Sequence, residues 1–359
     1  MKKYIVLILP LLYFLSCTTS IEEKKNLTIT WDDFKVIKIN SEKHYFDEII
    51  NPASIGFSDN FLIIGEAWRV PEEFPRMHLV DTNDMSYQMS KGKYGKGPLE
   101  ITDASGILSL DDLSEFWVYN MNGRKLVKFS KVDSSLLGTD EWRLSEDMSM
   151  IRFIEKTKNG GFLASPWDGL AVIQEFDQEG KLLGSFGTWE SFPERPDLGN
   201  KEIGELSTGW FKGNPEIGLF ALATLYRDIL KIFDYQKKEF ITIEGPYKDL
   251  PLFDLHQTNG PSVFFRPEST YRYRDIAITS KYIFALYGGY SQAEINKTGK
   301  IAEDILVFDH KGNPLWNLKL DRSIIEMVFN EETGQFYGLT TDEDPGIAVF
   351  DIPKELLKK

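Results

Sequence analysis

Four arginines are the side chains of this sequence best suited to grip a ligand: Arg152, Arg266, Arg272 and Arg274, with Glu268, Tyr271 and Tyr273 among them. A guanidinium presents a planar fork of donors that matches a carboxylate, and aromatic neighbours give it a surface to lie on. The grouping suits a carboxylate or a sugar acid, provided the fold brings position 152 to the stretch 266–274. Ion pairing between neighbouring elements would use the same residues. A second candidate is the stretch from Lys91 to Pro98, where Lys91, Lys93 and Lys96 alternate with glycines. Backbone N–H groups of such a loop can face an anion. No Gly-Lys-Ser/Thr ends it, so it is not a phosphate-binding P-loop. A tight crossover between two elements would need the same glycines.

Other chemistries lack their residues. Cys17 is the only cysteine, so no intramolecular disulfide and no cysteine-based metal cluster can form. His44, His78, His256 and His310 are scattered without metal-ligand spacing, and Asp342-Glu343-Asp344 lacks the spacing of a calcium loop. There is no G-x-S-x-G, no H-E-x-x-H and no dinucleotide fingerprint. We therefore expect no catalytic residue, no metal and no cofactor. The net charge of −14 opposes binding to nucleic acid, whose phosphates it would repel.

The first seventeen residues, MKKYIVLILPLLYFLSC, read as an address. Lys2 and Lys3 precede a mostly apolar run from Ile5 to Ser16, which is too short to span a bilayer as a helix. Phe14-Leu15-Ser16-Cys17 resembles the lipobox of bacterial lipoproteins, with Phe14 where Leu is commoner. The resemblance implies removal of residues 1–16 and a diacylglyceryl group on Cys17, hence a membrane partner through the N-terminal lipid. Several acyl chains, at about 0.8 kcal/mol per buried methylene, make such an anchor permanent. Residues 17–26 would be the lipidated cysteine and a polar tether.

The remainder repeats. The marker of two or three apolar residues, an aromatic or Val, and a turn former recurs as MHLVD (77–81), LVKFS (126–130), IQEFD (173–177), LKIFD (230–234), ILVFD (305–309) and IAVFD (347–351). Pairs of β-rich segments precede each copy, for example MIRFIE with GFLAS, RDIAIT with YIFALYGG, and IIEMVFN with QFYGLTT. Asp81, Asp177, Asp234, Asp309 and Asp351 end the markers and are expected to cap turns. Six four-stranded units that each expose two apolar faces are best satisfied by radial stacking. The expected fold is all-β: a six-bladed β-propeller over 27–352, with a charged tail at 353–359. IPKELLKK makes a poor fourth strand for the last unit, so FKVIKIN (34–40) is expected to complete it and close the ring. The tryptophans are expected to pack between blades.

The lipobox, the repeated markers and the stretch Gly95-Lys96-Gly97-Pro98-Leu99-Glu100 together resemble the TolB-like six-bladed propeller lipoproteins. Gly95, Gly97, Pro98 and Glu100 match a G-x-G-P-G-E segment found between the first two blades of such propellers. Leu99 stands where they have a third glycine. The resemblance implies fold and envelope location, with the outer membrane as the expected site, and says little about activity. The leading expectation is a monomeric, lipid-anchored propeller that binds or scaffolds an envelope protein, peptide or glycan without catalysis. The alternative is a propeller hydrolase or lyase acting on a sugar or lactone at the channel mouth. That alternative requires converging acids on the inner strands, and the sequence shows no evident set of them.

Overall fold

The computed structural model describes residues 25–109, 114–256 and 262–357. Cys17 and the signal segment lie outside the described residues. Three short strands come first: β1 (Lys25–Thr28), β2 (Lys35–Ile39) and β3 (Ser41–His44). The first repeat forms an antiparallel meander of β4 (Pro52–Ser58), β5 (Phe61–Glu66), β6 (Met77–Asp81) and β7 (Ser86–Lys91). The second forms β8 (Gly106–Ser109), β9 (Glu115–Asn120), β10 (Lys125–Ser130) and β11 (Asp140–Arg143), and the third forms β12 (Ile151–Lys156), β13 (Phe162–Pro166), β14 (Ile173–Phe176) and β15 (Leu182–Phe186). Helix α1 (Asn200–Leu206) precedes the fourth: β16 (Gly209–Asn214), β17 (Leu219–Thr224), β18 (Ile229–Asp234) and β19 (Glu239–Glu244). A hairpin, β20 (Phe253–His256) with β21 (Ser262–Phe265), interrupts the long connection that follows.

The last two repeats share one eight-stranded sheet. It runs through β22 (Tyr273–Ile278), β23 (Tyr282–Tyr287), β24 (Ala302–Asp309), β25 (Pro314–Asn330), β26 (Gln335–Thr340) and β27 (Ile347–Asp351), with helix α2 (Gln292–Thr298) before β24 and helix α3 (Lys354–Leu357) after β27. The first half of β25 pairs with β24 and the second half with β26, so a single bent strand is the outer strand of one meander and the inner strand of the next. Strands β4, β8, β12, β16, β22 and the second half of β25 stand side by side in that order, and β25 returns to β4. They surround one central cavity, the arrangement of an all-β propeller.

The core lies between neighbouring sheets. Ile63, Met77 and Leu79 of the first meander pack against Phe116, Val118 and Phe129 of the second. Each such side chain contributes about 2 kcal/mol on burial. The turn formers act as their types suggest. Asp81 Oδ1 accepts the Asn83 N–H at 2.8 Å, Asp177 Oδ1 accepts those of Glu179 and Lys181, and Asp309 Oδ1 accepts those of Lys311 and Asn313. In the second repeat Ser130 Oγ does the same for Val132 and Asp133. Trp142, Trp210 and Trp316 stack or edge against neighbouring rings, whereas Trp68 and Trp167 are exposed.

The N-terminal segment departs from expectation in one respect. Residues 34–40 do not complete the last meander: β2 runs parallel to Trp316–Leu320, on the outside of the fifth. The strand beside β27 is β3, antiparallel, with Ser41 opposite Phe350 and His44 opposite Ile347. The reason is apolar. Ile37 and Ile39 of β2 reach the cluster of Leu318, Leu320, Ile305 and Val307, which the polar SEKH of β3 could not fill. Strand β1 adds in parallel to β19, so the fold begins two residues inside the stretch expected to be a tether. At the other end, Leu356 of the expected charged tail is buried in the same cluster as Phe350.

Candidate functional site

The central cavity has a volume of about 300 Å³ and is lined by the inner strands of all the meanders. Four successive inner strands bring charged residues to it or just behind its wall: Glu155 and Lys156 on β12, Lys212 on β16, Asp275 on β22 and Glu326 on β25. Asp275 is the hub. Its Oδ1 lies 2.6 Å from Lys212 Nζ and accepts the Ile276 N–H at 2.8 Å, while Oδ2 accepts the Met327 N–H at 2.8 Å. The carboxylate is fully buried and ties three neighbouring meanders together. Burial pulls the Lys212 ammonium down, but Asp275, Glu326 and Glu155 outweigh it and hold the pKa above the usual lysine value.

The two glutamates respond to their burial. Burial pushes Glu155 up to about 8, opposed by Lys212 and assisted by Asp275. Burial, and then the Asp275 charge, push Glu326 up as well, although its Oε2 accepts the Ile55 N–H at 3.1 Å. Both therefore keep their protons to a higher pH than an ordinary glutamic acid does. Between the unfolded value of 4.5 and the folded value of about 8 the native state holds more protons than the unfolded chain, so these two groups make stability fall as pH rises through that window, and their penalty is absent below it. We expect Glu155→Gln to remove on the order of 2 kcal/mol of this decline, a value discounted for solvent in the cavity. Urea midpoints of variant and parent, compared at pH 5 and pH 8.5, measure it. Equal differences at the two pH values would contradict it.

Above these acids, at the end where the inner strands begin, lies a cationic rim. Arg152 Nη1 donates to Thr208 Oγ1 at 2.6 Å. Arg274 lies over the Tyr271 ring at 4.7 Å. Tyr226 sits between them. Burial and its hydrogen bond with Tyr271 keep the Tyr226 hydroxyl protonated, and Arg274 and Arg152 both act on it in the opposite direction. The insertion after β19 positions this tyrosine. Phe265 at the end of β21 stacks on the Tyr226 ring at 3.7 Å, and β20–β21 packs with α1 into a small core of Leu206, Ile203, Leu198 and Phe253.

The other sequence candidates lie elsewhere. Arg266 forms a two-pronged pair with Asp254 across the exposed hairpin, at 2.9 and 2.6 Å, and Glu268 is exposed beside it. Arg272 lies over the Tyr247 ring at 4.1 Å, next to Asp228, whose carboxyl burial pushes up to about 6. So Arg152 and Arg274 meet at Tyr226, and the other three do not join them. The expected absence of acids from the inner strands is corrected by Glu155, Asp275 and Glu326. Their signal was one acid within each of the apolar strands MIRFIE, RDIAIT and IIEMVFN.

The glycine-rich stretch is a braced crossover. Glu100 Oε2 accepts the Gly97 N–H at 2.9 Å, Glu100 Oε1 takes Lys93 at 2.8 Å, and Lys125 donates to Gly97 O at 3.0 Å. Lys91 is fully buried and binds Asp133, whereas Lys93 and Lys96 are exposed. A Cβ on Gly95 would stand 2.0 Å from Glu100 Oε2. Leu99 keeps the left-handed backbone a glycine would adopt there, with φ of 61°. For a leucine this costs about 1–2 kcal/mol, against about 0.5–1 kcal/mol of chain entropy that a glycine would lose. We expect Leu99→Gly to leave the melting temperature unchanged or raised by a few degrees, and Gly95→Ala to lower it. The reverse order would contradict the backbone argument.

Among the described residues no cluster could hold a metal ion and no helix is long and apolar enough to cross a membrane. None of the curated proteins matches the chain in sequence. Among solved structures, a protein of Bacteroides fragilis assigned as exported is 13% identical, with a TM-score of 0.53 over 88% of this chain and 99% of that one. The β-propeller domain of Cps50 (Swd1) from Myceliophteria thermophila is 10% identical, with a TM-score of 0.47 over 87% of this chain and 100% of that one. BamB from Moraxella catarrhalis is 12% identical, with a TM-score of 0.42 over 86% of this chain and 87% of that one. At these identities the likeness concerns the fold alone. The meanders ranged round a shared cavity agree with a match to one family model over residues 23–332: the chain belongs to the TolB-like 6-blade propeller-like family.

Proposed function

We propose that this chain is an exported lipoprotein, anchored through Cys17, whose ring of six blades is completed by Ser41–His44 and binds an envelope partner, protein or glycan, on the face where the inner strands begin. The observation that carries the binding reading is the surface of that face. Its loops present Trp68, Phe74, Trp167, Leu170, Tyr247 and Leu252 to solvent, with Trp68 75% and Leu170 63% exposed. Large aromatic and aliphatic side chains exposed together on the loops of one face mark an interaction surface. The acidic body adds nothing to membrane affinity, so the lipid would supply the attachment.

The test places a photo-activated cross-linker at position 167 on this face or at position 132 on the opposite one, in cells that make the full-length protein. A defined adduct from position 167 alone supports the reading, and equal or absent adducts from both sites refute it. Mass spectrometry of the N-terminal peptide, with Cys17→Ser as the control, tests the anchor. The competing reading, a hydrolase or lyase, draws on Glu155 and Glu326, whose carboxyls burial pushes up. Turnover of a lactone or glycoside that Glu326→Gln abolishes would establish it in place of pure binding.

A further inference from the structure

The two arginines of the rim occupy the same place in their sheets. In the ladder of β12 with β13, Ile151 pairs with Pro166 and Phe153 with Ser165, so Arg152 is the extra residue of a bulge. In the ladder of β22 with β23, Tyr273 pairs with Tyr287 and Asp275 with Leu286, so Arg274 is the extra residue. A bulge re-aims its side chain out of the strand's alternation. Strand β16 lies between them and pairs residue for residue. Its neighbours Thr208 and Tyr226 fill the space between the two guanidiniums. The inner strand β4 has the equivalent bulge, between Pro52 and Ser54, and there the extra residue is Ala53. The bulge itself therefore needs no charge.

Neither guanidinium has an ion pair among the described residues, although both are largely removed from water. The remaining partner of Arg152 is the Phe153 ring, at 5.8 Å. The Nε of Arg274 is buried without an acceptor, and so is the Nε1 of Trp210, a cavity-lining residue of β16. Elsewhere the buried Lys91 meets Asp133 and Lys125 meets Glu141, the half-buried Lys212 meets Asp275, and the buried Arg76 donates to the carbonyls of Val70 and Pro71 and lies over the Tyr94 ring. The acids nearest Arg274, namely Asp275 and Glu326, act on it without coming within ion-pair distance. Asp275 is committed to Lys212 and two backbone N–H groups, and Glu326 Oε2 accepts the Ile55 N–H. An uncompensated buried charge is costly, and a bound anion would remove that cost.

We propose that Arg152 and Arg274, with the Tyr226 hydroxyl between them, receive one carboxylate group of the ligand bound at this face. The proposal rests on the binding reading above and supplies its chemistry. Guanidinium forks match a planar carboxylate, whereas Asp275 below them and the net charge of −14 oppose a dianion such as phosphate. The rings of Tyr226, Tyr271, Phe153 and Trp210 provide flat apolar walls for whatever carries the acid.

Calorimetric titration of the full-length mature protein tests it with D-glucuronate and the α-amide of N-acetyl-L-glutamate, each beside its neutral counterpart, D-glucose and the α-amide of N-acetyl-L-glutamine, and with inorganic phosphate. One carboxylate should bind with unit stoichiometry and its counterpart should not. Glucuronate would identify a sugar acid and N-acetylglutamate a peptide acid. Arg152→Met and Arg274→Met should each weaken that binding roughly 10- to 100-fold, with melting temperature retained or raised. Arg266→Met should leave it unchanged. Absence of binding by both acids, equal binding of neutral counterparts or phosphate, or affinity that survives both substitutions overturns the carboxylate site. Should the cross-link at position 167 persist in the double variant while the acids fail to bind, the interaction face stands and only its assigned chemistry falls.

Discussion

Asp275→Ala will destabilise the protein by about 3–5 kcal/mol, the range for leaving a buried charge without its partner. The substitution strands the Lys212 ammonium and two backbone donors, Ile276 N–H and Met327 N–H, all of which Asp275 now satisfies at 2.6–2.8 Å. The loss reaches beyond one sheet, because the three donors come from β16, β22 and β25. Lys212→Met added to Asp275→Ala should restore part of the stability, since it removes the orphaned charge but not the orphaned N–H groups. A coupling of more than about 1 kcal/mol in the double-mutant cycle, read from urea unfolding, would confirm that Asp275 acts through Lys212. Additive effects would show that the backbone bonds carry the whole contribution.

Removing residues 25–44 will cost about 5 kcal/mol or more and leave the chain prone to associate. Ile29, Phe34 and Ile39 are buried at 4%, 7% and 4% exposure, and each forfeits about 2–3 kcal/mol when its packing is lost. Loss of β3 also bares the edge of β27. With it go Lys43, which pairs with Asp342 at 2.8 Å, and Ser41, which donates its backbone N–H and its hydroxyl to Asp321. Thermal melting and sizing of the truncated chain provide the measurement. A melting temperature within about 5 °C of the parent would contradict a role for this segment in completing the ring.

Much of the architecture follows from local chemistry. Strands expected from β-branched and aromatic runs, such as GFLAS and QFYGLTT, fall within a residue of β13 and β26. The marker aspartates cap turns because an Asx side chain can reach its own N–H groups two residues on, a contact that requires no tertiary partner. Helices α1 and α2 were not legible, because seven residues give too few turns for a periodicity.

What the tertiary structure alone decided is which strand of the N-terminal segment lies where, and which polar groups meet. FKVIKIN and SEKH are both capable strands. Only the apolar cluster round Leu318 and Leu320 draws Ile37 and Ile39 to the fifth meander and leaves SEKH for the last. Glu155, Lys212, Asp275 and Glu326 are separated by 57, 63 and 51 positions, and no local pattern connects them. They converge because inner strands at one period turn towards one axis, where burial pushes the Glu155 and Glu326 carboxyls up. Arg152 and Arg274 differ from Arg266 and Arg272 by nothing visible in their neighbours along the chain; bulges in β12 and β22 turn the first two towards Tyr226. Types and spacings thus determine the repeating sheets, and long-range packing determines which charges share a low-dielectric space.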